Sequence, residues 1–294
     1  MTSAEASSSS FDATDVFVAL VGILGLVVGV LLSLLAETVP DNSGGGRSVA
    51  TCRSCEAKLP TASWTPIRTA GSACPACGER VSAARLPVVL ATGVAFVAIA
   101  AVIGSRWQLV PILLLTSSLI TLSAVDMARY RLPDRLVFPS LGVSLVLLTV
   151  LSIANDAGDH VLRALVTGLA YASVLFVFNL VYPAGLAFGD VKLALLLGAF
   201  LGWSATNGID AARLVVWALL IGMILGIFSG LLVGIGRRAF GPGFLPDPDF
   251  PPAEDGSLDP LLKTAFPFGP ALAASTLILV VASNQLLDAG SILA

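Results

Sequence analysis

Histidine and charge are what this sequence has least of. One histidine, His160, stands among 294 residues, and Asp, Glu, Lys and Arg together make up 12%. A single imidazole excludes His-rich metal sites and speaks against a Ser-His-Asp triad. A soluble globular domain carries about 25% charged residues, so a chain with 12% charged and 56% hydrophobic residues belongs in a membrane. No basic run and no basic patch interleaved with aromatics is present, so nucleic acid is not an expected partner. The first fifteen residues, MTSAEASSSSFDATD, lack Lys and Arg. They read as a polar disordered tail and not as a signal peptide, which needs a basic n-region. Cysteine is scarce too, and all four lie between residues 37 and 86.

Long apolar runs fill the remainder. A membrane-spanning helix needs about 20 mostly apolar residues. Candidate spans are 16–36, 87–104, 109–125, 136–153, 161–182, 188–205, 214–235 and 268–288. The expected fold is therefore an all-α integral membrane protein of about eight transmembrane helices. Cytoplasmic loops carry the excess of Lys and Arg. Of the sixteen basic residues, all but Arg106, Arg163 and Arg213 fall in one alternating set of loops or at their edges. Both termini are thus expected outside, with residues 37–86 in the cytoplasm. Residues 37–86 form a separate small module between the first two helices. Residues 87–294 form the membrane domain, and residues 239–267, rich in Pro, Gly and Asp, read as an irregular cytoplasmic loop. No convincing internal repeat is present.

The cysteines have the frame C-x2-C-x18-C-x2-C: Cys52, Cys55, Cys74 and Cys77. Two such knuckles can supply four thiolates to one tetrahedral zinc ion. A module this small has little core, so the metal would supply much of its folding energy. Four thiolates leave no open coordination position, which makes the expected zinc structural. The bland alternative is two cysteine pairs without metal, and a cytoplasmic location argues against disulfides.

Two acids are harder to explain. Asp126 ends the third span and Asp190 opens the sixth, in AFGDVKL. With both termini outside, these ends lie at the same membrane face. A charge at bilayer depth costs several kcal/mol, roughly. Separately, Asp190 reads as a helix N-cap, with Lys192 snorkelling to the interface, and Asp126 as a counter-ion for Arg129 or Arg131. Together they read differently. Two close carboxyls share a proton. One can then act as base on a water while the other donates to a scissile carbonyl.

Four motifs in order now match a known family: Asp126 followed by Leu132-Pro133-Asp134, the Gly189-Asp190-Val191-Lys192-Leu193 segment, Pro267-Phe268-Gly269-Pro270, and the paired CxxC module after the first span. The chain resembles the type IV prepilin peptidases, bacterial membrane aspartyl proteases of the GxGD type. The resemblance implies cleavage of the leader of prepilins and pseudopilins on the cytoplasmic side of the cell membrane. It implies Asp126 and Asp190 as the catalytic pair, Gly189 allowing close approach of substrate, and Lys192 in support. It also implies membrane lipid as the surrounding partner.

Many members also methylate the new N-terminus with S-adenosylmethionine. Here the chain departs from the pattern. Ser33 and Thr38 stand where the family has Asn and Arg, the 85–93 segment RLPVVLATG carries no acid, and Ala187 replaces the first Gly of GxGD. These departures predict that methyl transfer is weak, absent or carried by other residues. Two readings from other classes compete: a proton- or cation-coupled transporter using Asp126 and Asp190, and a membrane scaffold whose zinc module binds partners. Transporter acids sit near the bilayer midplane and often within repeats, whereas these acids sit at span ends.

Overall fold

The computed structural model describes residues 12–38, 76–78, 85–129, 134–181, 186–240 and 268–292. These contain eight α-helices: α1 (Ala13–Thr38), α2 (Arg85–Ile103), α3 (Leu109–Arg129), α4 (Asp134–Ala154), α5 (Asp159–Val181), α6 (Phe188–Ser204), α7 (Gly208–Phe240) and α8 (Gly269–Ile292). No strand occurs among the described residues. Six helices are long and apolar enough to cross a membrane: α1 to α5 and α7. The outer surface is correspondingly apolar, with Leu20, Val94, Val146, Leu169 and Ile227 all exposed.

The two remaining helices, α6 and α8, both contribute to the site. α6 has 17 residues, so it is about 26 Å long at 1.5 Å per residue. That falls short of a hydrocarbon core about 30 Å thick. A helix apolar on every side is a buried one, and nearly all of α6 is buried, from Asp190 and Val191 through Ser204. Its neighbours can approach because it presents glycine. A Cβ on Gly198 would lie 2.7 Å from the Thr167 carbonyl oxygen and 2.8 Å from Gly168 Cα. One on Gly202 would lie 2.4 Å from the Arg163 carbonyl oxygen. α5 and α6 therefore touch backbone to backbone, the small-residue packing that membrane helices use where hydrophobic attraction between them is absent. α1 and α2 pack in the same way, with Gly25 against Phe96 and Gly29 against Val89. In α8 the apolar stretch Gly269–Ser283 is likewise shorter than a full span.

α7 differs from its expected bounds of 214–235. It begins at Gly208 and runs 33 residues. Asn207 explains the early start: its Oδ1 accepts the amides of Ile209 at 3.0 Å and Asp210 at 2.9 Å, an N-cap placed before the apolar run begins. Counting apolar residues passes over such a start.

His160 has a structural role at the opposite end of α6 from Asp190. Its Nδ1 lies 2.7 Å from the Trp203 carbonyl oxygen, and Trp203 Nε1 donates to Ser152 Oγ at 2.9 Å. These bonds satisfy polar groups where α6 ends.

Candidate active site

Three helix ends meet at one face of the bundle. Asp126 lies one turn before the end of α3, Asp190 lies in the first turn of α6, and Gly269 is the first residue of α8. Both acids are buried, with 6% of Asp126 and 4% of Asp190 exposed. Gly269 measures their convergence. A Cβ built on it would stand 2.7 Å from Asp126 Oδ2 and 3.7 Å from Asp190 Oδ1. Carboxyls gathered this closely cannot both ionise cheaply. Asp126 Oδ2 is buried with no hydrogen-bond partner. A buried, unpartnered oxygen costs about 1–3 kcal/mol, and such an atom suits a group that must bind something else.

The local folding reasons differ for each residue. α8 begins at Gly269, so its free amides and the positive end of its dipole face the acids. Absence of a side chain at Gly269 leaves room for both carboxyls. Asp190 does not cap α6. The N-cap is Ala187, which makes no side-chain cap bond. Asp190 stands three residues further on, where a carboxyl can reach back to the N-cap amide, and the Ala187 amide does act on it. The N-cap expectation fails because α6 starts three residues earlier than an N-cap at Asp190 requires. Gly189 is the second helical residue and is half-buried.

Lys192 is turned elsewhere. Its Nζ bonds the carboxylate of Asp134, the first residue of α4. The ammonium lies over the Phe188 ring at 4.9 Å and the Phe138 ring at 5.8 Å, a favourable cation–π arrangement. Residues two apart on a helix point to nearly opposite sides, so Lys192 faces α4 while Asp190 faces α3 and α8. The Arg129 and Arg131 side chains, expected counter-ions of Asp126, lie outside the described residues, as do Cys52, Cys55 and Cys74. Cys77 is exposed in the turn at 76–78. Among the described residues no group of three His, Cys, Asp or Glu could hold a metal.

Two contributors escaped the sequence reading. Gly269 lies in a motif that was noted without a role. Asn179 is a lone amide in an apolar run, and its Nδ2 donates to the Leu186 carbonyl oxygen at 2.6 Å. A lone polar residue at membrane depth is the signal by which a sequence reading finds such a residue.

The fold and this pair of buried acids define a multi-pass helical membrane protein with a dicarboxyl centre at one face. Residues 113–235, which carry both acids, match the model of the Type IV leader peptidase family. Over that segment the chain is similar to this family. It is 30% identical over 221 residues to the prepilin leader peptidase/N-methyltransferase of Myxococcus xanthus (strain DK1622), covering 72% of this chain and 63% of that protein. Proteins of the same name from Aeromonas hydrophila and Stutzerimonas stutzeri are 33% and 36% identical, covering 59% and 49% of this chain and 56% and 49% of theirs. The chain thus spans between about half and two thirds of the length of these relatives. No solved structure matches it.

Proposed function

We propose that this chain is an aspartyl endopeptidase that removes the leader of type IV prepilins and related pseudopilins, with Asp126 and Asp190 as its catalytic pair. The observation that carries the reading is the convergence of two buried carboxyls on Gly269 within the family-matched segment. In the reaction, one carboxylate takes a proton from water as its oxygen attacks the scissile carbonyl carbon. The other, protonated, carboxyl gives its proton to the carbonyl oxygen. The tetrahedral gem-diol then collapses: the C–N bond breaks, the leaving amine takes the proton held by the base, and one hydroxyl returns its proton to the other carboxylate, which regenerates the pair. Neither metal nor histidine is required. A transporter reading gains no support from acids at helix ends.

The active face is cytoplasmic in this reading, supported by the distribution of Lys and Arg among the loops. Cysteines introduced at Ser9 and Ser291 should then react with an impermeant thiol probe on intact cells. Protection of both sites would overturn the orientation. The eight-span count follows if α6 and α8 cross as well, α6 shielded from lipid by its neighbours. Residues 37–86 would form the cytoplasmic module and residues 87–294 the peptidase domain.

Cys52, Cys55, Cys74 and Cys77 are read as ligands of one structural zinc ion, on the strength of their spacing. Elemental analysis of protein purified under reducing conditions should find about one zinc per chain, as a single four-thiolate site requires. Cys74→Ser should lower folded yield more than it lowers turnover by the molecules that fold. Metal-free protein of full yield would refute the site.

The relatives' printed name also includes N-methyl transfer. In this chain Ser33, at the position of the family's Asn, turns its hydroxyl back to the Val30 carbonyl oxygen at 2.7 Å. With its one proton engaged there, it has no donor to stand in for the amide of the family's Asn, which supports peptidase activity without strong methylation. One experiment addresses both activities: purified chain, S-adenosylmethionine and a prepilin substrate, read by intact mass. A mature pilin without the leader and without an added methyl group is the expected product. No cleavage would overturn the peptidase reading, and full methylation would overturn the reading of Ser33.

A further inference from the structure

The helix that carries Asp190 begins without a side-chain cap, at Ala187. An uncapped helix end leaves amides unsatisfied and frays within its first turn, and that turn holds Asp190. Two side-chain bonds from outside α6 bracket this turn. Upstream, Asn179 of α5 donates to the Leu186 carbonyl oxygen at 2.6 Å. Downstream, Lys192 bonds Asp134 of α4 and is cradled by the Phe138 and Phe188 rings. Asn179 and Lys192 are both partly withdrawn from solvent, Lys192 with 20% of its side chain exposed. Polar groups at membrane depth are costly unless they do something specific. Here each one ties residues 186–192 to a different neighbouring helix.

We propose that Asn179 and the Asp134–Lys192 pair are positioning residues for Asp190, clamping the first turn of α6 from both sides in place of the missing cap. The inference rests on the peptidase reading of Asp190. None of the three residues touches the reacting atoms. Asp134 adds a second link, because it stands at the head of α4, eight residues after Asp126 in the chain. The pair thereby couples the segments that bear the two acids.

The test is prepilin cleavage by the full-length protein in detergent micelles, with kcat, KM and thermal midpoint measured separately. Lys192→Met and Asn179→Leu keep size while deleting one bond each. Each should lower kcat about 10- to 100-fold, the scale of a misplacement of about 1 Å at a reacting centre. KM and thermal midpoint should change little, since neither residue binds substrate or fills the core. Lys192→Arg should recover most of the lost kcat. Full kcat in both deletion variants would overturn the clamp. So would a loss of kcat that tracks a loss of thermal midpoint and that Lys192→Arg does not recover. Should the unaltered chain cleave nothing, the peptidase reading itself falls. A cleaving wild type with unaffected variants removes the clamp alone.

Discussion

Asn at position 126 or at position 190 is expected to abolish leader cleavage while leaving the amount of protein in the membrane near normal. The substitution keeps shape and volume and removes acid–base chemistry. Each carboxyl in the proposed reaction contributes general acid or base catalysis worth about 10²–10⁴-fold. Neither role can pass to the other residue, because the mechanism needs one protonated and one ionised group at the same moment. The double variant should therefore be no worse than either single one, as residues acting as a unit are strongly non-additive. Stability should be spared, because Asn keeps the shape of Asp and an amide carries no charge to bury. In the unaltered enzyme, activity should follow a bell-shaped pH profile whose two limbs belong to the pair as a whole. Chelators should not inhibit acutely. Cleavage at a substantial rate by either Asn variant would end the aspartyl-protease reading and revive the transporter.

The parts of the site legible in the sequence are those set by one-dimensional patterns. Apolar runs located the helices, and α6 begins where the run at 188–205 was read to begin. The bias of Lys and Arg among loops put the end of α3 and the start of α6 on one face, and those ends do meet through Gly269. What stayed hidden depends on how helices slide and rotate against one another. The partner of Lys192 is 58 residues away, and no pattern around Lys192 names Asp134. The Gly168–Gly198 contact that fixes α5 against α6 is likewise a matter of two backbones approaching. Within one helix, Gly-Asp at the head of an apolar run fits an N-cap, yet α6 takes up helical geometry from Phe188 and leaves Asp190 in its first turn. Free of the capping role, the carboxyl can turn toward Asp126.

Gly269→Ala should lower kcat/KM about 100-fold without destabilising the protein. The added Cβ would sit 2.7 Å from Asp126 Oδ2, 3.3 Å from Asp126 Cγ and 3.7 Å from Asp190 Oδ1. Heavy atoms do not remain at the first of these distances, so something must move. The obstructed atom is the tip of a side chain, so the Asp126 carboxyl can rotate away more easily than α8 can shift. The fold then survives while the pair loses its geometry, and a displacement of about 1 Å at a reacting centre costs about 10²-fold. The usual advantage of Ala over Gly within a helix is offset here, because Pro270 follows and its Cδ crowds a Cβ on the preceding residue in helical geometry. The thermal midpoint should thus change little as activity falls, a combination that core damage does not produce. Gly208 is the matching control. It is likewise the first residue of its helix, and nothing lies within 4 Å of a Cβ built there. Gly208→Ala should leave cleavage intact. Equal activity in both variants would mean that the two carboxyls do not gather at the start of α8, and the proposed centre would have to be sought elsewhere along α3 and α6.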